Sequence, residues 1–173
     1  MMVRQARMAD AADICTIVNG LIRDTVVTFT SKDRSESEIA ADIALRWRAY
    51  QVIETDGQVV GFATYGPFRN GPGYASTKEL TIHLAPQARG RGMGRALLQA
   101  LEQVAVSQGV HVLVAGISGA NQEGIAFHTN CGYDVVGRMP EVGQKAGQML
   151  DLILMQKILP DGERNADTDV PAG

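Results

Sequence analysis

Apolar residues recur at two spacings along this 173-residue chain, and the changes from one spacing to the other divide it into elements. A short extended piece, MVRQ, comes first. Ile14, Ile17, Val18, Leu21 and Ile22 then fall three and four apart, the stripe of an amphipathic helix, and Asp10 stands where its N-cap belongs. The polar stretch TFTSKDRSESE separates it from a second helical pattern carrying Ile39, Ile43, Leu45 and Trp47. Two strand-like runs follow, YQVIETD and QVVGFATYGPF, around Asp56-Gly57, a dipeptide suited to a tight hairpin.

Beyond the Gly- and Pro-rich loop RNGPGYAS, the run KELTIHLAP alternates as a strand and leads into a glycine-rich turn. A helix of about four turns comes next, with Leu97, Leu101 and Val104 on one stripe and Ala100 beside it. HVLVAGIS reads as a buried strand, and NQEGIAFHTNC as a helix closing on Gly132. YDVVGRM and MLDLILMQKI read as the final strands. The order β-α-α-β-β-β-α-β-α-β-β predicts a single mixed α/β domain over residues 1–159. The polar tail from 160 to 173 is expected to lack order.

Composition narrows the classes. An apolar share of 45% and a charged share of 20% are those of an ordinary globular domain. A net charge of -3 argues against nucleic acid or an acidic membrane as partner, because such binding rests on phosphate neutralisation. The two cysteines, Cys15 and Cys131, form neither a disulfide framework nor a zinc set, which fits a reducing compartment and predicts no metal. Charged residues flank the first apolar stretch, unlike a signal peptide, and no apolar run approaches the ~20 residues of a membrane span. The expectation is a cytoplasmic protein.

The turn QARGRGMGRA places Gly90, Gly92 and Gly94 at alternate positions among Arg89, Arg91 and Arg95, just before a helix. Helix N-termini present unpaired N–H groups and partial positive charge, so such a turn is suited to an anion. It is not a P-loop, since Arg95-Ala96 stand where Lys and Ser/Thr are needed. G-x-G-x-x-G also fails, because the third glycine would fall on Arg95 or Leu97.

RGRGMG instead matches R-x-x-G-x-G, and with the strand before it, the helix after it, HVLVAGI and the helix closing on GY, the chain resembles the GCN5-related N-acetyltransferases over residues 2–158. YGPFR, GYASTKELTIHLAP, GANQEGIAFHTNCGY and LDLILMQK are similar to the phosphinothricin and methionine sulfoximine branch of that family. The resemblance implies a mixed central sheet with helices on both faces, acetyl-CoA as acetyl donor, a small amine as acceptor and a homodimer. It implies that Ile82, His83 and Leu84 offer backbone groups to the pantetheine arm. Arg89, Gly90, Arg91, Gly92, Met93, Gly94 and Arg95 would hold the diphosphate, and Asn121 and Asn130 would lie along the coenzyme.

Strand alternation puts Glu79, Thr81 and His83 on one face. By resemblance Glu79 is the general base and His128, four residues before Gly132, stands where an acid protonates the leaving thiolate. His83 would line the site or tune Glu79, and the bland alternative for each is a structural role. Asn121 also reads as a helix cap. For the acceptor, Arg69 is a candidate for pairing a carboxylate, with Phe29, Pro72, Gly73 and Tyr74 shaping the pocket. Ala75-Ser76 and the run Lys145, Ala146, Gly147, Gln148, Met149 depart from the branch, which commonly has Arg-His at the first site and aromatics at the second. A roomier or differently charged acceptor pocket follows. Two other readings stay open, a protein or peptide amine acetyltransferase and a non-catalytic CoA-binding domain.

Overall fold

The computed structural model describes residues 1–160. Seven strands form one sheet in the order β1-β2-β3-β4-β5-β7-β6. They are β1 (Met2–Gln5), β2 (Tyr50–Thr55), β3 (Gln58–Pro67), β4 (Thr77–Leu84), β5 (Val112–Ser118), β6 (Asp134–Lys145) and β7 (Gln148–Ile158). Helices α1 (Ala11–Asp24), α2 (Glu36–Arg46), α3 (Met93–Ser107) and α4 (Gln122–Asn130) complete the order expected from the periodicity. Only β4 and β5 run parallel, joined through α3 as a crossover; the other neighbours are antiparallel.

Alternation along the strands sends side chains to two separate cores. Val52 and Phe62 join Ile14, Ile39 and Ile43 beneath α1 and α2. Their neighbours Ile53 and Ala63 point the other way, to Leu97, Leu101, Leu113 and Met155 beneath α3. The hairpin at Asp56-Gly57 has positive φ at both residues, 52° and 80°, the backbone of a two-residue turn matched to strand twist. Ser35 and Glu38 cap α2 reciprocally, the serine oxygen accepting from the Glu38 N–H.

Three expectations are corrected. Asp10 is the N-cap residue of α1 as expected, but its side chain makes no cap bond; its buried carboxylate accepts from the Arg7 N–H and is held by Arg4 at 2.8 Å. Leu45 and Trp47 belong to the second helical pattern in sequence, but Leu45 lies about 200° round the helix from Ile43 and Trp47 follows the end of α2 at Arg46, so both side chains stand in solvent, 83% and 64% exposed. The penultimate strand runs on past Met139 to Lys145, because two bulges let it continue against β7. The tail expected to lack order falls on residues outside those described, apart from Pro160.

Candidate active site

β4 and β5 pair over four positions, Thr77↔Val112 to Leu80↔Ala115, and then part company. β4 goes on to Leu84 and β5 to Ser118 with no pairing between them. The backbone of residues 81–84 that faces β5 is therefore left with free donors and acceptors, which in a sheet interior is costly unless something fills the opening. A cavity of about 760 Å³ lies there, walled by Leu80 to Leu84 on one side and Ala115 to Ser118 on the other. Ile82, His83 and Leu84 all line it, as expected of groups that meet an extended amide-bearing arm.

The glycine turn closes one end of this cavity, and its glycines serve different purposes. Gly90 and Gly92 have φ of 70° and 75°, the left-handed region, with open space where a side chain would stand. Gly94 is helical and buried; a Cβ there would lie 3.1 Å from the Phe127 ring and 3.3 Å from Leu84. Gly92 is the N-cap of α3 and supplies no side-chain acceptor, so the first N–H groups of the helix stay available. Arg89, Gly90, Gly92, Gly94 and Arg95 line the cavity, and Arg95 donates to the Asn130 carbonyl at 2.8 Å, tying α3 to the end of α4. Arg91 is exposed away from the lining, and the Met93 side chain is buried in the core. Free N–H groups, a helix dipole and arginine forks suit a diphosphate, and an adjoining slot edged by unpaired backbone suits an amide-bearing tail.

Asn121 caps α4 by accepting from the Gly124 N–H at 2.9 Å, and it lines the cavity together with Asn130 and His128. His128 is 5% exposed, and its Nδ1 lies 2.8 Å from the Gly124 carbonyl. A carbonyl only accepts, so Nδ1 carries the proton and Nε2 is a bare acceptor; no protein group meets it. Burial pushes this imidazole below its ordinary range, against the opposing pull of the Gly124 carbonyl. His83 packs edge-on against Phe62, with ring centroids 5.5 Å apart. Its enclosure pushes it down to about 4, helped by the nearby Arg89 charge. Both rings are neutral near pH 7.

Glu79 does not line the cavity itself but sits at its edge. Its Oε1 lies 3.3 Å from where a Cβ of Gly116 would be, and Gly116 does line it. The carboxylate is exposed to solvent. Leu152 comes within 3.4 Å of the same Gly116 position, and with Leu21, Val27 and Phe29 it gives the cavity an apolar wall. Phe29 belongs to the segment between α1 and α2, and Lys145 holds that segment by donating to the Thr28 carbonyl at 2.8 Å. Burial pushes the Lys145 ammonium below its usual range.

Arg69, Pro72, Gly73 and Tyr74 are not brought to this cavity. They lie on the β3–β4 connection, where Arg69 stacks over Phe68 at 5.1 Å and Phe68 meets Tyr74 edge-on at 6.1 Å. Sequence reasoning missed Gly116, Phe127, Leu152 and the Lys145–Thr28 tether. They come together only through strand pairing and helix docking, and no local motif marks them. Among the described residues no cluster of three His, Cys, Asp or Glu side chains could hold a metal ion.

Residues 3–154 match the family model of the acetyltransferase (GNAT) domain. The chain belongs to the GNAT acetyltransferases. It is 36% identical over 159 residues to the L-methionine sulfoximine/L-methionine sulfone acetyltransferase of Pseudomonas aeruginosa, covering 89% of this chain and 92% of that protein. Among solved structures, the phosphinothricin acetyltransferase of Sinorhizobium meliloti in complex with acetyl-CoA is 32% identical with a TM-score of 0.88, over 98% of this chain and 94% of that one. The ribosomal-protein-alanine N-acetyltransferase of Brucella melitensis is 38% identical, also with a TM-score of 0.88, over 92% of this chain and 100% of that one. This GNAT enzyme is an acetyl-CoA-dependent acyltransferase, and the parted strands and glycine bend fit that donor. Among the described residues no helix is long and apolar enough to cross a membrane.

Proposed function

We propose that this acetyltransferase moves an acetyl group from acetyl-CoA to the α-amine of a small amino acid or analogue, by direct attack with Glu79 as general base. One observation carries the reading: a carboxylate stands beside Gly116 at the mouth of the gap between β4 and β5, on the sheet face that Phe29 and Leu152 enclose. Acetyl-CoA supplies the electrophilic thioester carbonyl. The bend at Gly90 to Arg95 holds its diphosphate, and the free backbone of Ile82 to Leu84 holds its arm. Glu79 takes a proton from the acceptor ammonium, directly or through water, because only the neutral amine has a lone pair for attack. The new C–N bond forms, the attacking nitrogen gives up its second proton to solvent, the C–S bond breaks, and the thiolate leaves readily because a thiol's pKa near ~8.5 makes it a fair leaving group. His128, with a bare Nε2, is free to accept a hydrogen bond from a bound ligand and in its neutral form has no proton there to give.

The Pseudomonas and Sinorhizobium relatives, both named for small amino-acid analogues, support this substrate class. The Brucella relative gives the protein-amine reading its support. A screen of thiol release from acetyl-CoA, run against amino acids, sulfoximine and phosphinic analogues, polyamines and alanine-ended peptides, separates the two. Activity confined to peptides contradicts the small-acceptor reading. We also infer a homodimer, supported by the exposed Val135, Val136, Met139 and Val142 along the edge strand β6; a monomeric mass by light scattering contradicts it.

A further inference from the structure

The face of the sheet that bears Glu79 also bears an arginine that forms no ion pair among the described residues. In the β3–β4 register Thr64 lies opposite Thr81 and Gly66 opposite Glu79. Residues directly opposite in an antiparallel pair point to the same side, with Cβ atoms about 4.5–5.5 Å apart. Gly66 has no side chain, and the guanidinium of Arg46, from the last turn of α2, takes the vacant space. Its Cζ and terminal nitrogens lie 3.7–3.9 Å from where the Gly66 Cβ would stand.

A guanidinium from α2 lying over β3 and a carboxylate on β4 therefore share one face, yet they do not pair. Among the described residues neither group takes part in an ion pair. Arg46 has one hydrogen bond, to the Thr64 hydroxyl at 3.5 Å, the outer limit for such a contact. Arg89, beside His83, is assigned above to the diphosphate, and several other cations have partners of their own. Arg34 pairs with Asp42 at 2.9 Å, Arg48 lies over the Trp47 ring and Arg69 over the Phe68 ring. Lys145 is bound to Thr28.

An amino-acid acceptor carries an ammonium and a carboxylate on one carbon. Two opposite charges held apart on a half-covered face form the complement of that zwitterion. Resting on the amino-acid reading above, we propose that Arg46 receives the α-carboxylate of the acceptor whose amine faces Glu79, the two side chains clamping the zwitterion, one reaching over β3 from α2 and the other standing on β4. Arg46 is thus a specificity-determining residue that selects free amino acids over amines lacking the carboxylate.

The experiment uses L-methionine sulfone and its carboxamide as acceptors, with acetyl-CoA, in steady-state kinetics of the wild-type enzyme, Arg46→Gln and Arg46→Lys. The clamp predicts a wild-type preference for the acid. The ratio of kcat/KM for acid over amide falls roughly tenfold or more in Arg46→Gln, as expected for losing a charge-assisted hydrogen bond, through KM for the acid. Arg46→Lys recovers part of it, and the KM for acetyl-CoA reports whether the fold is intact. An equal drop for acid and amide, or an unchanged ratio, overturns the clamp while leaving the amino-acid reading in place. No turnover of either compound by the wild-type enzyme, with activity on peptides alone, strikes the amino-acid reading and the clamp with it.

Discussion

The ring of Phe29 lies where a side chain on Gly143 would be: a Cβ at residue 143 would stand 2.5 Å from two of its carbons. Phe29 lines the cavity, on the side proposed above for the acceptor, so a glycine on β6 sets the position of an aromatic more than a hundred residues earlier in the chain.

Gly143→Ala forces that ring to shift, since so close an approach is never tolerated. The expected outcome is a several-fold rise in the acceptor KM with the acetyl-CoA KM within about twofold, because the coenzyme side is walled by other elements. Lys145→Met, which releases Thr28, is expected to act in the same direction. Steady-state kinetics with both substrates varied checks this, and equal rises in the two KM values contradict it.

At the glycine bend, two substitutions should fail for different reasons. Gly92→Ala puts a Cβ on a residue with φ of 75°, at a cost of about 1–2 kcal/mol in the left-handed region. Gly94→Ala instead presses on Phe127 and Leu84, both in the cavity wall. Both are expected to raise the acetyl-CoA KM. Gly92→Ala should also lower the thermal midpoint by a few degrees, on the order of that 1–2 kcal/mol. An unaltered acetyl-CoA KM in both variants contradicts the assignment of the bend.

The pH dependence of stability follows from His83. Its imidazole is held down at about 4 in the folded enzyme, while in the unfolded chain it titrates near ~6.5. Between those values the unfolded chain binds more protons, so native stability is fully present above pH ~6.5 and declines as the pH falls towards 4. His128 is pushed in the same direction. Urea unfolding at pH 6.5 and pH 5 should show a loss smaller in His83→Gln than in the wild type by about 1–2 kcal/mol. An identical loss contradicts the enclosure of His83.

The element order was legible because buried strands and amphipathic helices have distinct periods, and both cores lie where those periods put them. Trp47 misled because spacing marks a stripe but not where the helix stops; it takes φ of 38°, and the chain turns away before its side chain can be covered. Leu45 lies within α2 but opposite Ile43, on the solvent side. Asp10 stands at the N-cap as its position suggests, yet Arg4 on β1 takes its carboxylate, a contact settled by tertiary structure.

The candidate site was half legible. Gly90, Gly92 and Arg89 announce an anion bend locally, and Asn121 announces a helix cap. The parting of β4 from β5 is a property of pairing and leaves no mark on residue types. Nor does the neighbourhood of Glu79 and Arg46, which depends on the register of Gly66. The tautomer of His128 is equally silent, since it is fixed by the Gly124 carbonyl one helical turn back.

Glu79→Gln tests the central claim most directly, with kcat and both KM values followed from pH 6 to 10. With Glu79 as base, kcat near neutrality falls by about 10²–10⁴-fold while the acetyl-CoA KM stays within about twofold. Activity then recovers partly at high pH, where solvent takes the acceptor's proton. Turnover equal to wild type across the whole range would contradict the account.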